Sequence, residues 1–234
     1  MSTSFVMPNS ISTVQQAAFW AQIDSQNLAE AQAEKLKQLV ENVATAVTEY
    51  GNARVAANTD SELSQAGVKA AVRRAAERAA AVVKGQTDPF IKEMETRAGV
   101  LANSLANSVK GEPDVITTML IQERRALLAD MKDGLLVQQI YASCCENGTD
   151  ELTCRAVETA PQFMKLATPD LIEMGRATRA ARMNPDMASE LEKVRFQREL
   201  AAMSRNGALR ELSQLDDSIA EQAKGMLRID PAAV

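Results

Sequence analysis

Residues 34–51 read EKLKQLVENVATAVTEYG. Leu36, Leu39, Val40, Val43, Val47 and Tyr50 recur at spacings of three and four, which lays one apolar ridge along an otherwise polar rod. That period belongs to an amphipathic α-helix, and Gly51 predicts its end as a C′ residue. Upstream, Val14, Ala17, Ala18, Ala21 and Leu28 continue a weaker, Gln-rich version of the pattern. The spacing therefore predicts one long helix from about Ile11 to Tyr50.

The same alphabet continues downstream. Thr59-Asp60-Ser61-Glu62 has the form of a capping box and predicts a helix start, running through an Ala-rich stretch to Lys84 and stopping at Gly85. Asp88 and Pro89 then read as N-cap and first helical residue of another helix, with Phe90, Ile91, Met94, Leu101, Leu105 and Val109 on one side. Glu112-Pro113-Asp114 opens the most apolar element, predicted to run to Cys145 with Gly134 as a kink and to occupy the centre of the bundle. Shorter helices follow near 150–159, from Thr168-Pro169 to Met183, from Asn184-Pro185 to Arg205, and from Asn206-Gly207 to about Arg228. These patterns predict an all-α, elongated bundle of seven or eight helices and no β-sheet. The expected domains are a loose segment over 1–10, a long-helix bundle over 11–146, and shorter helices over 147–234 that pack on it.

Composition narrows the chemistry. The 234 residues contain no histidine, the commonest general base and metal ligand near neutral pH. Ser-His-Asp and Cys-His catalysis are thereby excluded, as are Glu-x-x-His di-iron sites. Aromatics make up only 3% of residues, and a core rich in Ala and Met favours close helix–helix contact. The net charge of −5 argues against a dedicated nucleic-acid binder. The basic run Lys69–Lys84 reads as a solvated helix face rather than a groove reader. Phosphate loops are absent, no stretch is long and apolar enough to span a bilayer, and no signal peptide is read in the first twenty residues. No cofactor and no metal are expected.

Local signals are few. Cys144, Cys145 and Cys154 lie in YASCCENGTDELTCRA, where a helix end, an Asn-Gly turn and a new helix start bring Cys154 back toward Cys145 or Cys144. A Cys145–Cys154 bridge is geometrically reasonable and would imply an oxidising compartment, while three free thiols are the other reading. Asn147-Gly148-Thr149 matches a glycosylation acceptor, but Thr149 as N-cap explains it more simply. Glu123, beside Arg124 and Arg125 on an apolar helix, is the carboxylate worth checking for burial. Phe19 and Trp20 on a polar helix, with the ridge of Leu36, Leu39, Val43 and Val47, are the candidate interface.

Together these features point to a non-enzymatic structural or assembly protein that works by helix–helix contact. A homo-oligomer or a place in a larger assembly is expected, of the kind found in bacterial secretion and conjugation machines or in virions. The alternative is an envelope or secreted factor stapled through its cysteines. By default the compartment is cytoplasmic, with a periplasmic, exported or virion location if the cysteines are bridged.

Overall fold

The computed structural model describes residues 13–213, with side-chain exposure from residue 18. Among the described residues the protein is all-helical, with eight α-helices, one 3-10 turn and no strand. The helices are α1 (Thr13–Ser25), α2 (Glu30–Thr59), α3 (Gln65–Ser108), α4 (Val115–Asp130), α5 (Gly134–Asn147), α6 (Glu151–Glu158), α7 (Pro169–Met183) and α8 (Pro185–Ser213). The 3-10 turn covers Gln162–Met164. None is long and apolar enough to cross a membrane. The segment 1–10 and the helix expected to end near Arg228 fall wholly or partly outside the described residues.

Several predicted boundaries move, each for a local reason. The helix expected over 11–50 is two: α1 stops at Ser25, and Asn27 takes a left-handed φ of 49°, which Asn tolerates better than most residues. α2 then runs through Gly51 to Thr59. Tyr50 and Ala57, on either side of that glycine, are both buried, so packing outweighs a glycine cost of about 0.5–1 kcal/mol. The expected capping box at Thr59 instead closes α2, with the Thr59 hydroxyl donating to Val55 O at 3.0 Å. Ser64 is the residue whose hydroxyl accepts from Gly67 N at the start of α3.

α3 also passes through Gly85 and Pro89, where a stop and a restart are predicted. Pro89 deprives the Gly85 carbonyl of its donor and costs about 3 kcal/mol in a helix interior. Burial of Val83, Phe90, Ile91 and Met94 on both sides of the break outweighs it. Asp88 is not a cap: its carboxylate pairs with Arg205 Nη1 at 2.8 Å. Conversely, the long helix expected from Asp114 to Cys145 is broken. Asp133 Oδ1 accepts from Leu135 N and Leu136 N at 3.0 and 3.2 Å, which caps a new helix at Gly134. Asn206-Gly207 does not interrupt α8, because Ala208, Leu209 and Leu212 beyond it are buried.

The chain divides into two compact units. The first comprises, of the described residues, 13–96 and 193–213. Its core joins Val43, Ala46, Val47 and Tyr50 of α2, Ala76, Ala79, Ala80 and Val83 of α3, and Ala208, Leu209 and Leu212 of α8. Small Ala side chains on α3 let the neighbouring backbones approach closely. Ion pairs lie over this packing: Asp24 with Lys37 at 2.7 Å, and Lys35 with Glu93 at 3.1 Å, Lys35 also standing 5.3 Å from the centre of the Phe90 ring. The basic run of α3 is mostly exposed, with Arg73 paired to Glu77 along the helix.

The second unit spans Arg97–Glu192. The domain boundary expected at Asn147-Gly148 therefore falls inside it. That loop is a tight helical hairpin: Gly148 takes φ 67° and its N–H caps Cys144 O, so α5 and α6 share one core. A second cluster ties the end of α3 (Leu105, with Val109 just beyond it) to Ala180 of α7 and Leu191 of α8, and an Arg97–Glu190 ion pair closes it.

Candidate functional site

The second unit is built around its shortest helix. α6 starts at Asp150, not Thr149: Asp150 Oδ1 accepts from Thr153 N at 3.1 Å and Oδ2 from the Thr153 hydroxyl at 2.8 Å. The Thr149 hydroxyl lies instead 3.8 Å from Cys144 Sγ. Cys154, Ala156 and Val157 of α6 pack against Ile121 and Leu128 of α4 and against Val137, Tyr141 and Cys145 of α5. α6 also carries Glu151 and Glu158, seven residues and about two turns apart on one side of the helix, and these meet the arginines of α7.

Arg179 is only 1% exposed. Its Nη2 lies 3.1 Å from Glu158 Oε2 and donates to Val109 O at 3.0 Å, while Nη1 is 3.3 Å from Glu151 Oε1. Nε has no acceptor, and Nη1 has only the ion pair. Arg176 donates to Glu158 O at 2.8 Å, and its Nε is 3.6 Å from Glu158 Oε2. Arg125 of α4 donates to Ala156 O, Thr159 O and the Thr159 hydroxyl at 2.8–3.3 Å. Arg155 donates to Gly111 O. The arginines thus close the carbonyl ends of two helices, α3 and α6, where the backbone dipoles favour cations.

Tyr141 links this polar layer to the thiols. Its hydroxyl sits 3.2 Å from Ile172 O and 3.4 Å from Glu158 Oε1. Gly175 of α7 lets the ring in: a Cβ there would overlap the Tyr141 hydroxyl oxygen and lie 2.5 Å from Cζ. Burial raises the Tyr141 phenol well above its usual range, and the Glu158 carboxylate adds to this. Burial likewise pushes the Glu158 carboxyl up, opposed by Arg179 and then Arg176.

The three cysteines are free and buried. Cys145 Sγ and Cys154 Sγ stand 3.5 Å apart, so the predicted pair is the one brought together, in contact and unbonded. The hydrogen bond from Cys154 favours the Cys145 thiolate against its burial, and the same bond with burial drives the Cys154 thiol up. Mild oxidation of the reduced protein is expected to join Cys145 to Cys154, the sulfurs closing to about 2.05 Å. Alkylation after denaturation, read by peptide mass spectrometry, should then mark Cys144 alone. Label on all three after oxidation would exclude the bridge.

The other predicted residues are placed differently from expectation. Leu36, Leu39, Val43 and Val47 are buried inside the first unit, where burying each aliphatic side chain is worth about 1.5–3 kcal/mol, so they are core and not a free interface. Phe19 is half-buried and Trp20 is 41% exposed. Glu123 is exposed, whereas its neighbour Arg124 turns to Asp150 at 3.1 Å. The α4–α5 segment expected at the centre of the bundle is instead the most exposed apolar element. Val115 (78%), Ile116 (72%), Leu127 (58%) and Leu135 (71%) lie open, with Met119, Leu120, Met131 and Leu136. Only Ile121, Leu128, Val137 and Tyr141 of its large apolar side chains are inside.

Between α4, α6, α7 and the segment that follows α3 lies a cavity of about 500 Å³. Lys110, Arg125, Arg155, Arg176 and Arg179 form part of its wall, against the carboxylates Glu112 and Glu158. Sequence reading missed it. The available signal was Arg176, Arg179 and Arg182 at spacings of three on α7, facing glutamates seven apart on α6. Among the described residues no three Cys, Asp or Glu side chains are arranged to hold a metal ion.

Fold and site define an all-α protein whose second unit has a buried arginine–glutamate core beneath an exposed apolar helix face. No family model matches the chain, and no curated protein or solved structure matches it either.

Proposed function

We propose that this is a non-enzymatic assembly protein that works by helix–helix contact, and that its working surface is the exposed face of α4 and the start of α5. The observation that carries the reading is the run of open apolar side chains, Val115, Ile116, Met119, Leu120 and Leu127, on one arc of α4. Contiguous exposed apolar surface of this kind marks interaction sites in stable proteins. The setting its composition suggests, a bacterial secretion or conjugation machine or a virion, belongs to the same proposal.

The occupant is an amphipathic helix of another polypeptide that carries Lys or Arg. At about 3.6 residues per turn, Glu123 and Asp130 fall within the apolar arc, between Met119 on one side and Ile116 and Leu127 on the other. Both carboxylates are exposed, and neither has an ion-pair partner among the described residues. The nearest cations on the helix, Arg124 and Arg125, are turned to Asp150 and to the end of α6. A second copy placed by a two-fold axis at the middle of α4 would set Glu123 against Glu123, which disfavours self-pairing on this face.

Two helical peptides with the same leucine seam, one flanked by lysines and one by glutamates, test this. The lysine peptide should bind, and Ile116→Asp or Leu127→Asp should weaken it by about tenfold or more. Equal binding of both peptides, binding indifferent to those substitutions, or a stable dimer broken by Leu127→Asp would overturn the assignment.

A further inference from the structure

The cavity of the second unit is distinct from the docking face and has its own chemistry. Its volume, about 500 Å³, suits a small molecule. Five cationic side chains meet two carboxylates at its wall. Glu151, which pairs with Arg155 and Arg179 from the edge and also lies 3.8 Å from Arg182, offsets part of that surplus. The carbonyl ends of α3 and α6 each contribute about half a negative charge, leaving a net positive charge uncompensated.

That charge has an address. Arg125 makes all its hydrogen bonds to neutral oxygens, those of Ala156 and Thr159, and Lys110 bonds only to Asn107 Oδ1. Neither has a carboxylate partner among the described residues. Beside them, Arg179 is buried with its Nε N–H unanswered. The rest of the wall includes Val109, Pro113 and Ile121 with the aliphatic stems of the arginines. The Arg125 bonds use Nε and Nη2, which leaves Nη1 to donate to a carboxylate, and the apolar wall matches a hydrocarbon body.

We infer that this cavity binds a small organic monoanion, a carboxylate on an apolar body, with its charged end toward Arg125 and Lys110. The test is a titration of the whole isotope-labelled protein, read by amide NMR shifts, with benzoate, its neutral isostere benzamide, and inorganic phosphate. Benzoate is expected to shift the amides of residues 109–125 saturably, with benzamide and phosphate about tenfold weaker or silent. Lys110→Gln, at an exposed position, and Arg125→Gln should each weaken benzoate by about tenfold. If Arg125→Gln unfolds, Lys110→Gln alone decides. No saturable shift, benzamide binding as well as benzoate, phosphate binding as well as benzoate, or full-strength binding in Lys110→Gln would each overturn the inference.

Discussion

Arg179→Met is expected to destabilise the protein by about 3–5 kcal/mol, because it leaves Glu158 charged and buried with only Arg176 nearby. Arg179 is 1% exposed and the Glu158 side chain 6% exposed, so water is a poor replacement for the lost partner. The double variant Arg179→Met with Glu158→Leu should recover most of the loss, since a buried ion pair is often no more stabilising than apolar residues of similar volume. The sign of the pH dependence follows from Glu158. Its folded-state carboxyl lies above the usual 4.5, burial being the largest cause. Its contribution to stability is therefore fully present below that value and is lost as pH rises through the folded value. Arg179→Met removes the main opposing charge and widens that window upward. Urea denaturation followed by circular dichroism should show the single variant closest to wild type in acid and farthest at neutral pH. A loss below about 1 kcal/mol at neutral pH would mean that the pair does not organise this unit.

Gly175→Ala should cost about 1–3 kcal/mol or more, through overpacking. The new Cβ would meet the Tyr141 ring, at 2.5 Å from Cζ and 2.6 Å from Cε1. The ring has nowhere to go: Tyr141 is fully buried, and its hydroxyl is engaged with Ile172 and Glu158. The control is Gly99→Ala in α3 of the same unit, exposed and with nothing near its would-be Cβ. Helix propensity alone should make that change stabilising by about 0.5–1 kcal/mol. Opposite signs for the two substitutions, measured by thermal and urea unfolding, separate close approach from backbone entropy. Equal signs would show that the α5–α7 contact is looser than the structure has it.

These two sites also show how far a sequence can be read. Most helices were legible, because apolar residues at spacings of three and four need only neighbours along the chain to declare themselves. The cysteine hairpin was legible too: eight residues between Cys145 and Cys154, with an Asn-Gly turn, leave few ways to fold back. The breaks were less so. Pro89 and Gly51 carry a local tendency to stop a helix, and buried neighbours on both sides override it. At Asp133 the reverse holds, since its two cap bonds end a pattern whose apolar period runs on unbroken.

The sequence by itself determined that the protein is helical, that histidine chemistry is closed to it, and that Cys154 folds back toward the Cys144-Cys145 pair. All three depend on composition or on contacts a few residues apart. Tertiary structure alone decided which ridge is core and which is surface: Val43 and Val47 are enclosed while Ile116 and Leu127 lie open, although both ridges have the same period. It also decided that arginines from α4, α6 and α7 converge on one cavity. Period records that a helix has an apolar face, but the segment that covers the face comes from far along the chain, and its choice depends on the packing energy of the whole unit.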